Sequence, residues 1–251
     1  MVKFFKKYHK WLSIILTVFI IAYALSGIVL NHRSFFSGTD VNRNYLPHDY
    51  RYSNWNLAAV KGTEKINNDS ILIYGNIGIF LTDSSMSYFN SFNNGFQEGV
   101  DNHKIEKLIY KNNHLLSATL FGLFSFNFET NKWTKIFEPR GESRIVDIAA
   151  HGNKFLIMSR SHIYETYDLI NFKRISLKPY VGYDNKIGLF KTLWVIHSGE
   201  IYGLPGILLV DFIALIFIFL TLTGLVYFIV QFITKTKKHK NDRLHNLKIF
   251  N

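Results

Sequence analysis

Hydrophobic residues are distributed along this chain in two ways. Residues 11–30 contain no charged side chain, and residues 204–233 contain only Asp211. Wound as a helix at 1.5 Å per residue, the first run extends about 30 Å, enough to cross the hydrocarbon of a bilayer. The second run is half as long again, so two transmembrane helices are predicted, one towards each end. Between them the apolar residues come in short alternating stretches separated by Asn and Gly, the pattern of half-buried strands joined by tight turns.

The middle also repeats. Ser70-Ile71-Leu72-Ile73 leads to Gly78-Ile79-Phe80, His114-Leu115-Leu116 to Gly122-Leu123-Phe124, and Lys154-Phe155-Leu156-Ile157 to His162-Ile163-Tyr164. A late aromatic residue follows each: Phe96, Trp133 and Phe172. A period near 40 residues with about four short strands per unit suits propeller blades, but three blades fall short of the usual minimum of four. A two-fold dimer would supply six blades and four transmembrane helices, while a β-sandwich with coincidental spacing is the other reading. The expected fold is a membrane protein with two transmembrane α-helices flanking an all-β, propeller-like extracytoplasmic domain, completed by dimerisation. Its boundaries fall at 1–33 (basic start and first helix), 34–190 (β domain), 191–234 (interfacial segment and second helix) and 235–251 (basic tail).

Charge supplies the orientation. The formal net charge is +11, and ten of the 29 Lys and Arg lie in residues 1–10 and 235–248, each group abutting an apolar run. Basic residues flanking membrane helices stay on the cytoplasmic side, so both termini are expected inside and the β domain outside. Anionic lipid headgroups, not nucleic acid, are the natural partner of such clusters. Read differently, the first run is a signal peptide, with Ala22-Tyr23-Ala24 as its cleavage site; the run's continuation through Ile28-Val29-Leu30 favours an uncleaved helix. With no cysteine present, disulfides, thiolate metal sites, thiol catalysis and covalent c-type haem are excluded.

Three of the ten histidines bracket the membrane: His9 before the first helix, His32 after it and His197 before the second. Imidazole is the side chain here best suited to axial haem ligation, and a low-spin b-type haem takes one from each side. His32 and His197 belong to the outward face. His9 lies 23 residues before His32, so it belongs to the inward face; its partner there would be a symmetry-related His9 or His239. The plainer reading makes all three interfacial residues. His48, His103, His114, His151 and His162 are expected on surfaces or turns. Asp211 is an ionisable group in a membrane helix, costly unless partnered; Arg33 is one candidate partner, and proton handling an alternative role. Gly27, Thr223 and Gly224 are small residues placed to admit a neighbouring helix or a porphyrin edge. No phosphate loop, dinucleotide-binding glycine pattern, zinc-protease motif or nucleophile elbow occurs.

Tyr8-His9-Lys10-Trp11-Leu12 followed by Leu25-Ser26-Gly27-Ile28-Val29-Leu30 resembles the opening helix of the PepSY-associated transmembrane family. His197-Ser198-Gly199, with Gly203, Gly206 and a Leu222-Thr223-Gly224-Leu225 finish, resembles its later helix. The resemblance implies a bacterial inner-membrane protein, in one branch a b-haem reductase of ferric siderophores or other iron chelates at the periplasmic side. His9 and His197 fall on the family's motif histidines, and His32 lies just beyond the first small-residue motif. Ser13 and Ser26 replace the usual Gly and Thr, and a repeat-built β domain stands where a PepSY module is usual. The expected activity is therefore outward electron transfer through haem b held by His9, His32 and His197, to a ferric chelate for iron acquisition, with a homodimer or partner subunit completing the bundle. The other expectation is a non-enzymatic, membrane-anchored binding or scaffold subunit using aromatics such as Trp55, Trp133 and Tyr180.

Overall fold

The structure is a computed structural model that describes residues 2–45, 60–141, 143–178, 181–182, 184 and 186–249; in the terminal helices the described side chains are 11–14, 16–31 and 203–235. His48, Trp55 and Tyr180 lie outside the described residues, as does the side chain of His9. The chain divides into two compact units, one formed by Met1–Arg33 with Asp184–Asn251, the other by Ser34–Tyr183.

The first unit is helical. Helix α1 (Val2–Asn31) and helix α3 (Gly203–Ile249) carry the apolar runs, and a nine-residue helix α2 (Leu189–His197) precedes α3. Spans of 21 and 36 residues, Trp11–Asn31 and Glu200–Lys235, are long and apolar enough to cross a membrane. Their large side chains point outward: Val18, Tyr23, Leu30, Phe212, Phe219 and Tyr227 are all exposed. Helices satisfy their own backbone groups, so this inverted surface is stable where the solvent is lipid. The two helices run antiparallel: Trp11 meets Phe228 edge-to-face at 6.0 Å near one end, and Asn31 meets Asp211 near the other. Polar side chains within the runs bond to their own helix, Thr17 to the Ser13 carbonyl at 2.9 Å and Thr221 to that of Phe217 at 2.6 Å.

The second unit is three four-stranded antiparallel sheets, each an up-and-down meander in chain order. Strands β1 (Val60–Lys65), β2 (Ile71–Gly75), β3 (Gly78–Thr82) and β4 (Asn90–Ser91) form the first. The second holds β5 (Ile105–Lys111), β6 (His114–Thr119), β7 (Gly122–Asn127) and β8 (Lys132–Phe137). The third holds β9 (Ile145–His151), β10 (Lys154–Ser159), β11 (Ile163–Thr166) and β12 (Lys173–Ile175). The three recurring apolar pairs of the sequence lie on β2–β3, β6–β7 and β10–β11. Tight turns join the hairpins; Asn112 and Asn113 between β5 and β6 both take positive φ, 53° and 61°, as a type I′ turn requires.

The middle sheet is buried on both faces. Leu115 packs with Leu72, Tyr74, Ile79, Leu108, Phe126 and Trp133 towards the first sheet. Its neighbours Leu116 and Ala118 pack with Ile145, Ile148, Phe155 and Ile157 towards the third. Successive residues of a strand point to opposite faces, so a strand between two sheets must be apolar at both phases. Stacked aromatic pairs join the sheets: Phe96 on Trp133 at 5.3 Å, and Phe172 on Phe137 at 4.1 Å. Trp133 is 1% exposed and donates its indole N–H to the Phe92 carbonyl at 2.8 Å. It is therefore a core residue and not the surface aromatic expected of it: the alternation that places Leu115 inside also places Trp133 against it. Gly95, at φ +104°, lies so close to the Trp133 backbone that an added Cβ would overlap the carbonyl oxygen. The leading strands are also tied together, Lys61 and Arg144 both reaching Glu106 at 3.1 and 2.9 Å.

Candidate functional site

The end of the α1–α3 pair where Asn31 meets Asp211 carries polar chemistry. Asp211 lies in the third turn of α3, and only 8% of the residue is exposed. A bare carboxylate there is costly, and this one is doubly bonded across to α1. Its Oδ1 accepts from the Asn31 side-chain amide at 2.9 Å, and its Oδ2 lies 2.6 Å from His32 Nε2. With the carboxylate ionised, the imidazole carries its proton on Nε2 and donates it, which makes a short, charge-assisted bond in a poorly polar setting. The bonds join residues 180 and 179 positions apart in the chain. Both partners immediately precede the Arg33 that the sequence put forward. Asn31 went unnoticed, although an amide closing an otherwise apolar helix was a signal.

His197 occupies the last turn of α2, with its residue exposed. The turn behind it is set by backbone geometry. Ser198 N–H bonds to the Trp194 carbonyl at 3.0 Å, Gly199 N–H to that of Ile196 at 3.2 Å, and Tyr202 N–H to that of Gly199 at 3.1 Å. Gly199 takes φ +78°, and its backbone lies directly against that of Gly206, so a Cβ on either glycine would overlap the other's carbonyl oxygen. Pro205 sits in the first turn of α3, where its missing N–H costs nothing. This tight crossing holds the end of α2 against the start of α3, so the spacing His197-x-Gly199…Gly206 is read out as a fixed turn.

The small residues stand apart from these contacts. A Cβ added at Gly27 or Gly224 would meet nothing within 4 Å, so neither glycine packs the α1–α3 pair. Thr223 bonds to the Leu220 carbonyl at 3.0 Å. In the β unit, His103 is half-buried beside Phe96, at 6.1 Å between ring centres. Burial pushes its imidazole below the ordinary histidine value, and the Asp40 carboxylate partly opposes this. His114 and His151 are exposed, and His162 lies near Tyr164. Among the described residues, no three imidazole or carboxylate side chains gather in a group able to hold a bare metal ion.

Comparison with known proteins finds one family and several local likenesses. The family model of the PepSY-associated TM region matches residues 2–231. No functionally curated protein matches the chain. Among solved structures, the extracellular domain of a one-component system of B. thetaiotaomicron shares 16% identity over 46% of this chain, with a TM-score of 0.39. The match spans 17% of that protein's chain. The N-terminal domain of Nup159 shares 10% identity over 47% of this chain and 34% of its own, with a TM-score of 0.35.

Proposed function

This chain belongs to the PepSY-associated transmembrane family, and on that premise we propose that it is a b-type haem protein of the bacterial inner membrane. It passes electrons outward to a ferric siderophore or another iron chelate on the periplasmic side. The observation that carries the reading is His197, a family motif histidine, exposed on the last turn of α2 and held at the outer mouth of α3 by the Gly199–Gly206 crossing.

The available imidazoles fit a haem unequally. His197 offers a side chain with no hydrogen bond among those described, on a backbone that the turn keeps in place. His32 presents Nε2 to Asp211 at 2.6 Å, leaving Nδ1, the nitrogen crowded by its own Cβ against a flat macrocycle. The arrangement therefore favours His197 over His32 as the outer axial ligand, and the family motif assigns His9 to the inner one. One imidazole per face per chain calls for a second copy to supply the other, and that copy would also turn three sheets into a six-bladed ring. The face-to-face stacking of the sheets and the tied leading strands support the propeller-like reading; the open surfaces at Gly27 and Gly224 support further helices beside this pair. Bound haem would supply one-electron transfer at iron. The chain's own residues do the rest: Asp211, Asn31 and His32 clamp the outward end of the helix pair, and the Gly199–Gly206 turn orients His197. The basic clusters at both ends hold the termini at the cytoplasmic face.

Absorption spectra of the detergent-purified protein, oxidised and dithionite-reduced, test this. A b-type spectrum is expected, with the haem-to-protein ratio lowered in His197→Ala and in His9→Ala and unchanged in His32→Ala. A colourless protein from haem-replete cells would overturn the reading in favour of an anchored binding module.

A further inference from the structure

Helix α2 contains no buried residue, yet six of its nine side chains are large and apolar. Phe190 is 81% exposed and Trp194 54%, and Leu189, Leu193 and Ile196 are likewise open. In water such a helix would be a liability, because a contiguous apolar surface of this kind is normally covered. Its side chains are also sorted by direction. At about 100° per residue, Ile196, Leu189, Leu193, Phe190 and Trp194 fall within one arc of about 160°. Lys191 and Thr192 lie on the opposite arc, together with Val195. The polar arc is tied down in two places: Lys191 Nζ lies 3.7 Å from Glu200, and Thr192 Oγ1 donates to the Gly188 carbonyl at 3.1 Å. Val181 and Ile187, in the segment leading to α2, are exposed as well.

We propose that α2 is an interfacial membrane helix, lying in the headgroup–acyl boundary of the outer leaflet with its apolar arc in the lipid. The occupant of that arc is the bilayer, because α2 is continuous with a span that already lies in it: five residues separate the last turn of α2 from α3, and the Gly199–Gly206 crossing prevents α2 from swinging away. A Trp and a Phe flanking a Lys are the composition that such boundaries favour. His197 falls on the same arc as Leu193 and Phe190, so embedding α2 brings the imidazole to the edge of the hydrocarbon. The inference rests on the membrane spans and is independent of whether haem binds.

The absence of cysteine makes the test direct. Single cysteines at positions 189–196 of the full chain are spin-labelled and reconstituted into phosphatidylcholine–phosphatidylglycerol vesicles. Accessibility to oxygen, which concentrates in lipid, is compared with accessibility to a water-soluble nickel chelate. Labels at Leu189, Leu193 and Ile196 are expected to favour oxygen several-fold over labels at Lys191 and Thr192, in a helical period. High nickel accessibility at every position would mean that α2 stands in water, and low accessibility to both reagents on the apolar arc would mean that a protein surface covers it; either result overturns the proposal. None of these positions is buried, and circular dichroism checks for each variant that the label leaves the fold intact.

Discussion

Leucines of the two units are placed in opposite senses. In α3, Leu209, Leu215 and Leu220 are more than half exposed, whereas Leu108, Leu115 and Leu116 in the β unit are wholly buried. The β unit is organised by water: its apolar side chains leave solvent by packing sheet on sheet, and each contributes transfer free energy and close contact. The helical unit has no such incentive, since lipid is as apolar as leucine, and its helices meet instead through a few polar bonds and ring contacts. One chemistry therefore has two consequences, decided by which solvent lies outside.

Substitutions that ought to differ most between the units test this comparison. Trp133→Ala should be the most damaging, at about 3–5 kcal/mol from lost packing alone, with the Phe92 carbonyl left without its donor. Leu116→Ala should cost about 2–5 kcal/mol. Both losses should appear as lowered melting temperatures of the full chain in detergent, and an unchanged midpoint for either would break the account of the doubly buried middle sheet.

The His32–Asp211 bond should matter less and in a different way. In lipid its coupling is expected at about 0.6–1.7 kcal/mol, read from a double-mutant cycle of His32→Leu and Asp211→Leu unfolded in mixed micelles. His32→Leu alone should be worse than the double variant, because it leaves a carboxylate at low dielectric with only Asn31 as a partner. Neither should move the melting of the β unit. A coupling near zero would show that the pair is incidental to helix association.

His103 provides a smaller, pH-dependent effect. Burial holds its imidazole below the ordinary value of 6.5, so the unfolded chain takes up a proton before the folded one does. The folded state keeps its full stability above the unfolded value and loses some as the pH falls below it. Melting at pH 7.5 and 5.5 should show that loss, and His103→Phe, which can still pack on Phe96, should reduce it; an identical pH dependence in the variant would exclude His103 as the cause. Smallest of all should be Leu215→Ala, within about 0.5 kcal/mol, since its side chain is exposed on the face of α3 opposite Gly224. A core-sized penalty there would mean that protein, and not lipid, covers that surface of α3.

Much of this architecture is legible in the sequence. The apolar runs at 11–30 and 204–233 became helices because their length and lack of charge leave few alternatives. The strand pairs around Leu72, Leu115 and Phe155 were visible from alternation and Asn–Gly turns. The site was less legible. Asp211 was recognisable as needing a partner, but Arg33, His32 and Asn31 all lie at the end of α1, and choosing among them depends on helix azimuth and tilt. Trp133 was misjudged because an aromatic on a short strand has no assigned face until a second sheet packs against it.

Residue order by itself determined what depends on counting along one chain: span lengths measured against a bilayer, strand alternation, the basic ends and the absence of thiol chemistry. Tertiary structure alone decided what depends on distances between remote segments. These are the short bond from His32 to Asp211, the backbone crossing of Gly199 and Gly206 that fixes His197, and the second covered face of the middle sheet. The physical reason is that local sequence specifies the period and polarity of each element. Which side chains meet is settled only when those elements find the packing, in water or in lipid, that leaves the fewest polar groups without partners and the least apolar surface in water.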